Sequence, residues 1–346
     1  MQALVQMRPE HDSTTLADVP VPKPGRGQVL IAPRAVGVCG SDLHTWRGTV
    51  SWQLATPVIL GHEMAGEIVD IGAECGPWRV GDRVVCETNG SVCGKCRMCR
   101  TGSPQHCPDL KVFGAHTDGF FAARCIASIE TLHSIPTELD FVTASMTEPV
   151  AVAYAGVISR GHLELGEHVV VVGAGAIGIF AAQIARAAGA ASVTLIGVDR
   201  DVPKAPLIAS LGLGELVVSG RDNVVEAVKG QTRQLGADLV IDAAGVSAAM
   251  QTALDVVAVG GRIVKIGWGP NPFGYSLDPV VAKVVSIVGS RGHGWLDWER
   301  VLTLLSSRTI DVDSCISAKY EIGEWETAFR DMESGRNVKS VVLFHD

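Results

Sequence analysis

The spacing of apolar and polar positions changes along the 346 residues, and the changes mark the elements. Through residues 1–35 apolar and polar positions alternate around prolines, as in VPVPKPG and QVLIAPRAVGVCG, the pattern of short antiparallel strands joined by turns. GEIVDIG and DRVVCE continue it with glycine-rich turns between them, so the first part is expected to be a compact β-rich domain. FGAHTDGFFAARCIASIETLHSI (113–135) adds short strands, and PTELDFVTASMTEPVAVAYAGV turns helical. Near residue 153 the composition changes. HVVVVGAGAIGIFAAQIARAAGA (168–190) reads as an apolar strand, a glycine-rich turn and an apolar-periodic helix. SVTLIGV, ELVVSG, ADLVIDAAG with a helix SAAMQTALDVV, GRIVKIGW and VVSIVGS follow. Strands alternating with helices are the doubly wound parallel pattern. After Ser290, WLDWERVLTLLSSRTI reads as an amphipathic helix, and a strand-and-helix tail ending in KSVVLF is expected to return to the first domain. The predicted fold is α/β in two domains, residues 1–152 with 297–346, and residues 153–296. No internal repeat is evident.

Composition narrows the partners. The hydrophobic share of 47% fills two cores, and the net charge of −8 with scattered basic residues prepares no footprint for a phosphate backbone, so nucleic acid is not an expected partner. The opening MQALVQMRPEHDSTTL has no apolar core of signal-peptide length, and the apolar run Val169–Ala182 falls short of the roughly 20 residues a spanning helix needs, so no membrane role is expected. Nine cysteines, four of them within residues 93–107, argue for thiolate ligation in a reducing cytoplasm over disulfides.

Residues 36–63, VGVCGSDLHTWRGTVSWQLATPVILGHE, carry the chemistry around which the chain is organised. Cys39, His62 and Glu63 offer a thiolate, an imidazole nitrogen and a carboxylate, donors that zinc accepts, and three protein ligands leave one tetrahedral position open to a substrate oxygen. Taken singly, each reads first as a buried small residue or a satisfied loop residue. Glu148, before Pro149, reads either as a fourth ligand or holder of the metal's water, or as an ordinary acid at a helix N-terminus. Cys93, Cys96, Cys99 and Cys107, spaced C-x2-C-x2-C-x7-C, can close completely around a second, structural zinc. In HVVVVGAGAIG, Gly173, Gly175 and Gly178 form G-x-G-x-x-G between strand and helix, where Ala176 and Ile177 open the helix whose N–H groups face a pyrophosphate. Asp199, 21 residues after Gly178, would accept a free ribose 2′-hydroxyl and favours NAD, whereas a shorter count leaves Arg200 to meet a 2′-phosphate and favours NADP.

Through GVCGSDLH, GHE, VGDRV, the four-cysteine loop, TEPVAVA and GAGAIG, the chain resembles the zinc-dependent medium-chain alcohol dehydrogenases over essentially its whole length, and most of all their sorbitol, butanediol and L-threonine dehydrogenase branches. The resemblance implies a GroES-like catalytic domain beside a Rossmann domain and two zinc ions per chain, one at Cys39, His62 and Glu63 with Glu148 as ligand or close neighbour. It also implies a proton relay through Ser41 and His44, an orienting role for Asp42 on His62, an alcohol substrate of the polyol or diol class, and a homo-oligomer, dimer or tetramer. Tyr154 and Ala155 stand where family members often have a histidine, a departure that bears on the substrate pocket. Trp46, Phe113 and His116 are further pocket candidates. L-threonine-type amino-alcohol oxidation is the nearest rival. A zinc-ribbon nucleic-acid module and a zinc-free reductase of the same superfamily are the others.

Overall fold

The computed structural model describes residues 1–269 and 271–345. The chain divides into two compact units, Met1–Glu148 with Gly294–Ser306 and Ile316–Asp346, and Pro149–His293 with Ser307–Cys315. The first unit is therefore discontinuous. The division falls between Glu148 and Pro149 rather than at residue 152, and residues 307–315 group with the second unit.

Among the described residues the first unit is built on a seven-stranded sheet. Its central strand, Gln28–Gly37, pairs antiparallel with Glu63–Ile71 on one side and with Lys339–Leu343 on the other. The last of these strands comes from the tail of the chain, so the KSVVLF segment does return to the β unit. Leu4, Ile31, Leu60, Met64, Ile68, Phe120, Phe121 and Phe329 form one buried cluster against the sheet. Apolar side chains at alternate strand positions drive that burial, each worth roughly 1.5–3 kcal/mol when fully removed from water. In the region 113–135, only Cys125–Ser128 and Leu132–Ser134 form regular strands. Gly114 and Gly119 instead press directly on the Leu60–Gly61 backbone, where loop packing replaces strand pairing.

The second unit carries a six-stranded, wholly parallel sheet in the spatial order Val217–Val218, Ser192–Gly197, His168–Val172, Ala237–Asp242, Val257–Lys265, Ser286–Gly289. Its inner strands, His168–Val172, Ser192–Gly197 and Ala237–Asp242, are mostly buried and rich in Val, Ile and Leu. The reversal of strand order at His168–Val172 creates the crevice at carboxyl ends where such sheets bind ligands. Ala176–Ala187 packs on that strand with Ile179, Phe180, Ala181, Ala182 and Ile184 buried.

The stretch Phe141–Arg160 is long and apolar enough to cross a bilayer, yet 72% of its apolar window is buried within the protein, as in a core helix. Its last six residues, Ala155–Arg160, wind as a π-helix, beginning just where the sequence departs from the family pattern. Gly156 lets this segment pack closely on Ile266, because a Cβ there would lie 2.2 Å from that side chain.

Candidate active site and dinucleotide turn

The strand register brings the first donor set together. Gly37 and Glu63 are cross-strand partners, so the chain leaving one strand and the chain entering the other emerge side by side with Cys39 and His62 on them. Cys39 precedes the helix Gly40–Trp46, and its N–H donates to Asp42 Oδ2 at 2.9 Å. Gly61, at φ +92°, turns the chain into the second strand with no room for a side chain, since a Cβ would meet the Phe121 ring at 2.7 Å. Gly37 is equally constrained: a Cβ would fall 2.1 Å from Glu63 Oε2. Glu63 is thus the first residue of a strand with its carboxylate turned inward, not a turn residue.

Cys39, His62 and Glu63 place their ligand atoms within 4.8 Å of one another. Glu63 is fully buried; Oε2 accepts from the Lys339 ammonium, while Oε1 has no hydrogen-bond partner among the described residues. A buried carboxylate oxygen left unsatisfied is costly unless a cation completes it. The donor chemistry fits zinc. Asp42 Oδ1 stands 3.7 Å from His62 Nδ1, and Ser41 Oγ lies 3.3 Å from His62 Nε2. Burial opposes a charge on His62, yet the Asp42 carboxylate, Cys39 and Glu148 overcome it and hold the imidazole well above its ordinary value. Burial pushes Glu63 up, helped by Glu148 and opposed by Lys339. Asp42 is raised by burial, against the pull of His62 and the Cys39 N–H. Negative charge from Asp42, Cys39 and Glu148 thus gathers around His62, while burial dominates the shifts of Glu63 and Asp42.

Glu148 is buried and acts electrostatically on both His62 and Glu63, but it stands outside the compact donor set. His44 is exposed, its Nδ1 3.1 Å from Thr49 Oγ1, and among the described residues no hydrogen bond joins it directly to Ser41. Trp46 and Phe113 belong to the core: Trp46 packs edge-on against Trp325 and Phe329, and Phe113 against Phe120. His116 Nδ1 accepts from the Val112 N–H at 3.2 Å.

The four-cysteine loop closes on itself without disulfides. Sγ separations of 3.5 Å (Cys96–Cys99), 3.9 Å (Cys96–Cys107) and 3.5 Å (Cys93–Cys107) approach the edge of about 3.8 Å that a tetrahedron with Zn–S near 2.3 Å requires. The N–H groups of Lys95 and Cys96 bring Cys93 down to about 7, while burial and the shared thiol protons push Cys99 up to about 12.

In the second unit, Gly173 at φ +113° ends the strand His168–Val172, and Gly175 caps the helix that Ala176 and Ile177 open. A Cβ on Gly178 would sit 1.8 Å from Gly173 O, whereas one on Gly175 would meet nothing within 4 Å, the open side a pyrophosphate can approach. Asp199 and Arg200 lie exposed just past the strand Ser192–Gly197. Two residues escaped the sequence reading. Lys339 lies 276 residues from Glu63 and belongs to no motif. Lys204 donates to Ala174 O at 3.1 Å within the glycine-rich turn, and only its place five residues after Asp199 hinted at it.

A cation-accepting donor set in one unit and a dinucleotide-binding turn in the other define a metal-dependent oxidoreductase that works with a nicotinamide dinucleotide. Residues 25–137 match the alcohol dehydrogenase GroES-like domain family, and residues 176–307 match the zinc-binding dehydrogenase family. The chain is 34% identical to the sorbitol dehydrogenase of Halalkalibacterium halodurans, over 98% of both chains. It is 32% identical to the L-threonine 3-dehydrogenase of Pyrococcus furiosus, over 99% of this chain and 98% of that one. A candidate zinc-binding dehydrogenase from Sinorhizobium meliloti 1021, solved with NADP, superposes with a TM-score of 0.90 at 28% identity, covering 99% of each chain. The chain belongs to the zinc-dependent medium-chain alcohol dehydrogenases and is an NAD(P)-dependent alcohol dehydrogenase.

Proposed function

We propose that this dehydrogenase oxidises a secondary alcohol of the polyol or vicinal-diol class, with zinc held by Cys39, His62 and Glu63. The unsatisfied Glu63 Oε1, buried beside a thiolate and an imidazole, carries the proposal. When bound, zinc supplies the Lewis acidity that makes a substrate hydroxyl acidic, and the nicotinamide accepts the hydride. Asp42 orients His62, and Glu148 adds negative charge beside the donor set. Ser41 Oγ takes the substrate proton, and His44 passes it to solvent through a hydroxyl or water bridging the two. The glycine turn, Gly173, Gly175, Ala176, Ile177 and Gly178, receives the pyrophosphate of NAD, and Asp199 with Arg200 stands at the adenosine ribose.

Cys93, Cys96, Cys99 and Cys107 hold a second, structural zinc, giving two per chain. The nine free cysteines fit a cytoplasmic enzyme. The protein forms a homo-oligomer: among the described residues Ser286–Gly289 is an edge strand with an open ladder, and Ile287, Val281 and Val284 are exposed at 42%, 81% and 72%.

L-threonine oxidation is the second reading, favoured by the Pyrococcus relative. Against it, Lys339, the cation inside the donor set, is committed to Glu63 and to Val38 O at 2.7 Å, and is not free for a substrate carboxylate. A panel of polyols, vicinal diols and L-threonine, read by absorbance with NAD and NADP, tests the proposal. Turnover of polyols or diols well above L-threonine is expected; a preference for L-threonine overturns the substrate class. Metal analysis near two zinc ions per chain, falling to one in Cys39→Ala, tests the metal assignment.

A further inference from the structure

The adenosine end of the nucleotide-binding unit holds a cation that no motif announces. Val217–Val218 pairs in register with Ile196–Gly197, so the carboxyl ends of these two strands lie level. Asp199 follows one end and Arg221 the other, and Arg221 Nε reaches Asp199 Oδ1 at 2.5 Å. Arg221 is carried on a tight turn: Gly220 sits at φ +90°, the N–H groups of Arg221 and Asp222 donate to Val218 O at 3.1 and 2.9 Å, and Val218 N–H donates to Asp222 Oδ2 at 2.7 Å. The neighbouring acids are engaged within their own turns, Asp222 with Val218 and Asp201 with Lys204 Nζ at 2.8 Å. Arg200 is exposed and makes no ion pair among the described residues.

A lone carboxylate at this position accepts the ribose 2′-hydroxyl of NAD and repels the 2′-phosphate of NADP. Here that carboxylate is paired with a guanidinium, and Arg200, exposed, is its next residue in the chain. Because the pair is half-exposed, at 56% for Arg221 and 70% for Asp199, it holds together weakly and reopens at little cost. Guanidinium groups bind phosphate oxygens in forked pairs, so a 2′-phosphate has two of them to recruit.

We propose that Arg221 is a cofactor-specificity residue: it cancels the exclusion exerted by Asp199 and, together with Arg200, lets this dehydrogenase bind NADP as well as NAD. This rests on the reading of the glycine turn and Asp199 as the dinucleotide site.

Equilibrium fluorescence titration of the zinc-loaded enzyme with NADH and with NADPH tests it without turnover. In the wild type the two dissociation constants should agree within about tenfold. Arg221→Ala should weaken NADPH at least about tenfold, the loss of one charge-assisted contact, while NADH binds as tightly or tighter because Asp199 is freed for the hydroxyl. Arg221→Lys, which keeps the charge, should recover part of the NADPH affinity. A wild type discriminating against NADPH by more than about tenfold, or equal losses of both cofactors in Arg221→Ala, overturns the proposal. Absence of binding by either cofactor would instead overturn the dinucleotide site itself.

Discussion

Replacing Lys339 with Met separates the pairing of Glu63 from every other feature of the metal-binding cluster. Lys339 is 2% exposed and Glu63 fully buried; the ammonium has the Glu63 carboxylate and Val38 O as partners, and Glu63 Oε1 has none. Methionine keeps the volume and removes only the charge and its donors. Stranding one member of a buried ion pair costs roughly 3–5 kcal/mol, against about 0–1 for an exposed pair. Denaturant unfolding of the metal-free protein should show a loss in the former range. In a Lys339→Met, Glu63→Gln double variant most of that loss should return, because no buried charge is left uncompensated. Zinc supplies positive charge to the same carboxylate, so the deficit of Lys339→Met should shrink when zinc is bound, and zinc affinity should rise correspondingly. A loss below about 1 kcal/mol, or a double variant as unstable as the sum of the singles, would refute the account of Lys339 as the counter-charge that allows Glu63 inside.

Ser41→Ala should lower kcat about a hundredfold or more with zinc content unchanged, measured by steady-state kinetics beside metal analysis; undiminished turnover removes Ser41 from the relay. Gly175→Ala and Gly178→Ala should part company. A Cβ at 175 meets nothing, so dinucleotide titration should weaken while the melting temperature holds, whereas a Cβ 1.8 Å from Gly173 O should depress both. Burial raises the Glu167 carboxyl, but the Arg262 guanidinium, with contacts of 2.8 and 2.5 Å, wins and holds it below its ordinary 4.5. That contribution is fully present above the unfolded value and is lost as pH falls through the lower folded value. Unfolding free energy should therefore drop in the acid range below 4.5, and Arg262→Gln should flatten that limb; an unaltered acid limb would count against the pair.

What could be read directly from the chain was whatever is local. Gly173 turns the chain at φ +113°, Gly178 presses on the Gly173 carbonyl five residues back, and the four cysteines of residues 93–107 close their loop within a few turns, so spacing alone expresses both. The alternation of apolar strands with helices likewise announced a parallel sheet, because burial on both faces leaves a continuous apolar run. Long-range charge pairing left no such trace. Lys339 in KSVVLF looked like an ordinary strand residue, and only the pairing of that strand with Gln28–Gly37 carries its ammonium to Glu63. Arg221 likewise meets Asp199 only because two short parallel strands end level. A buried charge must find its counter-charge in space rather than along the chain. The donor types, and Asp42 beside His62, were therefore legible in the sequence alone, whereas the distant cations Lys339 and Arg221 were decided by tertiary packing.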